Sequence, residues 1–316
     1  MSPELVIALL AATVQAGTPI LYATLGEIIS ERAGVLNLGV EGVMALASFM
    51  GFFACHVTGS AWLGLAAGAC AGALLAGLHG LVCQVFQGNQ VVSGLALTIF
   101  GVGLCNFLGT PYVGQATTGF QQFAVPLLSE LPLVGAVFFR QDALVYLSYS
   151  APVLVWFLLW RTSLGLGLRA TGEMPAAAAA AGLNPRRLRL FGVLLGGFFC
   201  GLGGAYLSLA HTHFWTTGLS GGRGWVAVAL VIFAFWRPGR AVAGAYLFGG
   251  VMAFQLRLQA SGTNVPSSLL LMLPYVLTVI VLALSAARAR KTFRRGTLAR
   301  KSAAPAALGL NIEPEG

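Results

Sequence analysis

Nine apolar runs, near residues 3–26, 37–56, 61–86, 90–110, 142–160, 188–210, 224–236, 241–257 and 267–286, fill most of this 316-residue chain. A helix needs about 20 predominantly apolar residues to cross the hydrocarbon core of a bilayer. Residues are 57% hydrophobic and 9% charged, where a soluble domain carries about 25% charged. Together these predict an all-α, polytopic transmembrane helix bundle of about nine spans. The run 224–236 is the short one, because Arg237 follows so soon, and it reads as a half-span or re-entrant helix. The opening MSPELVIALL has no basic region, which argues against a cleaved signal peptide.

The position of the charge says more than the net value of +9. Arg161, Arg169, Arg186, Arg187 and Arg189 share one connector, and Arg237 and Arg240 share another. Arg288, Arg290, Lys291, Arg294, Arg295, Arg300 and Lys301 follow the last run. Lys/Arg excess marks cytoplasmic loops, and alternating spans put all three clusters on one side only with the N-terminus outside and the C-terminus inside. Residues 1–286 then form the transmembrane domain, and 287–316 a basic cytoplasmic tail. KSAAPAALGLNIEPEG has two prolines and little helical periodicity, so disorder is expected beyond about 300. Anionic lipid headgroups explain a basic tail beside a span better than nucleic acid does. The cysteines sit singly in apolar runs without CxxC spacing, and His211 and His213 lack a clustered acid, so no metal site is expected.

Between Gly26 and Gly42 the chain reads GEIISERAGVLNLGVEG, and its glycines argue against one uninterrupted helix. Charge at bilayer depth usually faces a bundle interior or wet cavity, and broken backbone there is tolerated only where protein buries it or it lines a cavity. If the segment after Gly34 is helical, Asn37 and Glu41 share a face one turn apart, and Ser48 continues it. Glu27 and Glu31 are a like-charged i, i+4 pair that needs Arg32 or a proton. The acids have two readings: a substrate pathway, or structural pairing with Arg32 and broken-helix backbone. The structural reading is favoured for Glu27 and Glu31, and both stay open for Asn37 and Glu41. Asn106, Ser93 and Thr98 are further pathway candidates on another run, although a lone Asn in a membrane helix is more often an interhelical hydrogen bond. A second interruption, Gly218 to Gly224, is too dissimilar in residues to define a repeat but suits paired broken segments around a transport site. Glycines four apart, at 64, 68 and 72, 192 and 196, and 197 and 201, predict close helix packing.

The connector 165–190 reads GLGLRATGEMPAAAAAAGLNPRRLRL. The alanines favour helix, Pro175 suits a first turn and Gly182 a C-terminal cap. The product is a short cytoplasmic helix whose small-residue surface fits a groove on another protein. An amphipathic helix resting on lipid would need large apolar residues on one face.

SERAGVLNLGVEGVMALAS, this connector, and GRGWVAVALVIFAFWRPGRAVAGAYLFGG together resemble the ABC-importer permeases of the branched-chain amino acid, ribose and simple-sugar family. The likeness runs from about 5 to 286 and is nearest the shorter of two paired permeases in nucleoside and simple-sugar uptake systems. It implies a bacterial inner-membrane protein working with a second permease, an ATPase of two ATP-binding cassettes and an extracytoplasmic substrate-binding protein. The implied cargo is a nucleoside or simple sugar, with a branched-chain amino acid as the alternative. It also implies ATPase coupling by the segment containing Gly172, Glu173, Pro175, Ala180, Gly182 and Arg186. No cofactor is expected in this chain: no GxxxxGK[ST] loop exists and lysine occurs only at 291 and 301, so ATP and Mg belong to the partner. An intramembrane hydrolase is disfavoured because no serine joins the histidines at 56, 79, 211 and 213 in a constellation. A stand-alone secondary transporter or channel would not need the alanine connector.

Overall fold

The computed structural model describes residues 3–262, 265–281, 283 and 304–312. The expectations for the basic stretch 287–303 and for 313–316 lie outside the described residues. Each apolar run holds a helix among the described residues: α1 (Pro3–Arg32), α2 (Val40–Thr58), α3 (Ala61–Gln84), α4 (Gln90–Gly109), α6 (Ala143–Arg161), α9 (Pro185–Tyr206), α10 (Arg223–Ala234), α11 (Pro238–Ala260) and α12 (Ser267–Leu271). Among the described residues, α1, α2, α3, α4, α6, α9 and α11 are long and apolar enough to cross a membrane, whereas α10 and the apolar stretch Ser267–Val281 are shorter. The 12 residues of α10 rise about 18 Å, too little to cross about 30 Å of hydrocarbon alone.

Helix starts follow local chemistry. Asn89 accepts from the N–H groups of Val91 and Val92, Asp142 from Leu144 and Val145, and Asn184 from Arg187, which satisfies donors that a first turn leaves orphaned. Packing then follows the glycines. α9 lies against α1, α2 and α3, and α11 against α1. A Cβ added to Gly72 of α3 would sit 2.5 Å from the Gly197 carbonyl oxygen and 2.6 Å from Gly201 Cα on α9. Of the glycines whose spacing predicted close approach, Gly72, Gly197 and Gly201 make the α3–α9 seam, Gly196 packs on Gly26 and Ser30 of α1, and Gly64 packs on Gly51 of α2.

The connectors collect at two ends. At one, β1 (Gln122–Ala124) pairs antiparallel with β2 (Arg140–Asp142), Gln122 opposite Asp142, beside α5 (Val134–Phe138). The stretch 111–141, expected as a loop or surface helix, thus holds a small ribbon. Its backbone reaches the turn after α9, where Thr117 N–H donates to His213 O at 2.8 Å and Phe120 N–H to Leu209 O at 2.7 Å. At the other end lie the α1–α2 and α3–α4 links, the α10–α11 turn, α7 (Ser163–Glu173) and α8 (Pro175–Ala180). Residues 304–312, which composition marked for disorder, form a turn hydrogen-bonded to this second end.

Candidate functional site

α1 stops after Arg32, and Gly34 takes a left-handed φ of +93° that a Cβ would strain. The chain doubles back so that Asn37 N–H donates to Glu27 Oε1 at 3.0 Å. Five residues of helix separate Glu27 from Arg32, about 7.5 Å of rise, so α2 begins well inside the bundle rather than at the end of α1. It begins at Val40, not at 37. Asn37 therefore does not share a helical face with Glu41; its side chain accepts from Gly39 N–H at 2.8 Å, an Asx-type turn competing with the helix. Further polar groups of this broken segment are met from two helices, α3 and α4. Leu36 N–H donates to Gln90 Oε1 at 2.8 Å, His79 Nε2 donates to Leu36 O at 3.1 Å, and Thr98 Oγ1 donates to Leu38 O at 3.0 Å. Non-helical backbone is admissible inside a membrane protein only with such satisfaction.

The second interruption meets the first at Glu41. Its Oε1 accepts from Ser220 Oγ at 2.6 Å and Gly222 N–H at 2.9 Å, and its Oε2 from Gly224 N–H at 2.7 Å. A carboxylate in the first turn of α2 thereby caps the N-terminus of α10, whose orphan N–H groups and dipole favour negative charge. Gly224 has no Cβ because one would lie 2.5 Å from Glu41 Cα. The two glycine-rich breaks, 34–42 and 218–224, are thus one junction.

Glu27 and Glu31 are fully buried or nearly so on α1. Glu31 accepts a short hydrogen bond from Trp236 Nε1, and Arg32 reaches the Trp236 carbonyl and stacks over Trp160. Glu27 Oε2 is buried with no protein partner. Asn106 is half-buried on α4, five residues past Gly101, which packs on Gly42; it accepts from Cys105 Sγ rather than joining the carboxylates. An apolar cavity of about 340 Å³, lined by Leu21, Phe138, Tyr149, Pro152 and Tyr246, holds none of these acids. Among the described residues no group of three or more His, Cys, Asp and Glu is placed to hold a metal.

At the connector end, α8 starts at Pro175 and ends as its residues dictate. Gly182, φ +82°, donates to Ala179 O at 2.9 Å and Leu183 N–H to Ala178 O at 3.1 Å, a left-handed C-terminal cap. Ala178 packs inward, while Ala176, Ala177, Ala180, Ala181, Gly182 and Arg186 face out. Met174 and Leu183, 62% and 42% exposed, flank this strip. Gly172 lies against the α1 break, where a Cβ would be 3.1 Å from Gly34 N. Glu173 is exposed.

Gln90, His79 and Ser220 escaped the sequence reading because their partners are distant in the chain. Ser220 sits inside the SGGRGW break, which was visible, but its hydroxyl has meaning only against Glu41.

Residues 9–282 match the model of a family described as branched-chain amino acid transport system permease components. The chain is 50% identical to a putative glucose ABC transporter permease protein of Haloferax volcanii, over 80% of this chain and 78% of that protein. It is 35% identical to the nucleoside ABC transporter permease protein NupC of Lactococcus lactis, over 84% and 88% of the two. It is 33% identical to the guanosine ABC transporter permease protein NupQ of Bacillus subtilis, over 86% and 89%. No solved structure matches.

Proposed function

From the premise that this chain belongs to the family of branched-chain amino acid transport permease components, we propose that it forms half of an import pathway for a nucleoside or a simple sugar. It is a multi-pass membrane permease subunit of an ABC transporter, the membrane component and not the ATP-hydrolysing enzyme. The cargo reading is supported by the nucleoside, guanosine and glucose permeases that it resembles. A branched-chain amino acid is the second reading, favoured by the family description itself. The proposed assembly adds a second permease, an ATPase with two cassettes that binds ATP and magnesium, and an extracytoplasmic binding protein, in the cell's inner membrane. The proposed orientation is N-terminus outside, with the run 267–286 as the last crossing and α10 re-entrant. Arg161, Arg169, Arg186, Arg187, Arg237 and Arg240 all belong to the α7–α8 end, as the positive-inside rule requires of a cytoplasmic face.

The pathway is proposed to run along the junction of the two breaks. There Glu27, Glu31 and Glu41 hold its shape by occupying backbone and indole N–H groups, and Asn37 and Asn106 are proposed as its neutral polar lining. The observation that carries the coupling role is the outward strip of α8: small side chains permit close approach, and the flanking Met174, Leu183 and Arg186 supply contact. Ala180→Arg adds bulk and an unpaired charge to that contact, where burying a charge costs several kcal/mol and each 1.4 kcal/mol is about tenfold in affinity. Co-purification of the ATPase and uptake are expected to fall at least tenfold while membrane insertion persists. Normal co-purification with normal uptake would move coupling elsewhere, to the Trp236–Arg240 turn. Uptake measured with labelled nucleosides, sugars and branched-chain amino acids decides the cargo.

A further inference from the structure

Arg189 on α9 is fully buried, and its guanidinium donates to two carbonyls, Leu310 O at 2.6 Å and Ala307 O at 3.2 Å. Both acceptors belong to the C-terminal segment 304–312. Arg189 Nε is buried without a hydrogen-bond partner among the described residues, so the two tail carbonyls are the acceptors for a charge that is costly to bury unpaired. Two turns aim the carbonyls: Leu308 N–H donates to Pro305 O at 3.1 Å and Leu310 N–H to Ala307 O at 3.3 Å, with Gly309 at φ +76°. Ala307 is buried and Leu308 packs on the apolar core.

The same few residues reach three other places. Ala307 N–H donates to Gly172 O at 2.9 Å and Ala306 N–H to Glu173 Oε2 at 3.3 Å, immediately before α8. Gly309 N–H donates to Gly34 O at 3.3 Å, at the break after α1. Asn311 Nδ2 donates to Gln87 O at 2.7 Å, and Gln90 Nε2 donates to Leu310 O at 3.4 Å, at the α3–α4 link. Gln90 is also the residue that accepts from Leu36 in the broken segment. One short peptide thus joins the base of α8, the start of the break that leads to Glu27 and Glu41, and both flanking helices.

We propose that residues 304–312 are an intramolecular clasp that makes the coupling segment and the broken α1–α2 segment move as one body, so that ATP-driven displacement of α8 reaches the pathway. The inference rests on the coupling role proposed for α8. The clasp transmits motion and is not an assembly contact, because its hydrogen bonds run inward to Gly172 and Gly34, whereas the outward strip of α8 stays open.

The test uses the complete transporter in proteoliposomes. In a cysteine-free background, Gln87→Cys with Asn311→Cys should cross-link with a short bismaleimide; no cross-link would overturn the docking. Truncation after residue 303, and separately Ala307→Trp, should leave the ATPase bound and ATP hydrolysis within about twofold, while cargo moved per ATP falls about tenfold. Undiminished transport per ATP in both variants, or loss of the ATPase from the complex, would overturn the clasp. Failure of the α8 reading shows separately, as normal coupling in Ala180→Arg with the cross-link still formed.

Discussion

Glu41 accepts three hydrogen bonds at 7% exposure, and removing it tests whether the two broken helices depend on each other. Glu41→Ala orphans Ser220 Oγ and the N–H groups of Gly222 and Gly224. A buried donor left unsatisfied costs about 1–3 kcal/mol, and the vacated volume can admit a water that meets some of them. The lower end therefore applies, about 3 kcal/mol for the set. Glu41→Gln is the sharper probe. With its oxygen kept toward Ser220 and Gly222, its amide nitrogen faces the Gly224 N–H, donor against donor. That places the cost on one orphan, about 1–3 kcal/mol. Ser220→Ala removes a hydroxyl donor to a charged acceptor, about 1.5–3 kcal/mol, and the carboxylate keeps both backbone partners. Glu41→Ala, with three orphaned donors, is expected to destabilise more than either Glu41→Gln or Ser220→Ala, read from the fraction of detergent-solubilised protein that stays monodisperse after a temperature series. A Glu41→Gln variant as stable as wild type but with a raised apparent KM for cargo would refute the argument. It would mean that Glu41 binds cargo and that the α10 N-terminus holds itself.

Gly72→Leu forces side-chain atoms into the α3–α9 seam and is expected to lose about 1–3 kcal/mol or more, as overpacking does; Gly103→Ala, which meets nothing within 4 Å, is the control that should stay near neutral in the same thermal assay. For topology, maleimide labelling of intact cells carrying single cysteines in a cysteine-free background should tag position 118 and spare position 177, both exposed in the structure; labelling at 177 from outside would reverse the orientation.

Local rules reach far in this chain because each needs only a few neighbouring residues. Apolar run length is enough to place nine helical segments, and the early Arg237 is enough to mark α10 as too short to cross. Pro175 and Gly182 bound α8 as first-turn and left-handed-cap preferences require, and the glycine ladder of α3 meets that of α9. The first helix boundary fails the same rules. Asn37 belongs by hydropathy to the run that becomes α2, yet Glu27 draws its N–H out of helical register and its own side chain turns back to Gly39.

What only the tertiary structure decided is which distant groups satisfy one another. Glu41 and Ser220 are 179 positions apart, and Gln90 and Asn311 221 apart. Composition marks the residues beyond about 300 for disorder, since they have neither periodicity nor an apolar face, yet 304–312 form a hydrogen-bonded turn. Their turn exists against Arg189, Gly172, Gly34 and Gln90, a cradle assembled from four separate stretches of chain. A hydrogen bond inside a low-dielectric interior is worth making only with the right partner at the right angle, and partner identity is a property of packing. Sequence therefore determines where this chain breaks its helices and gathers its charge, and the fold determines which carboxylate, amide or tail carbonyl closes each break.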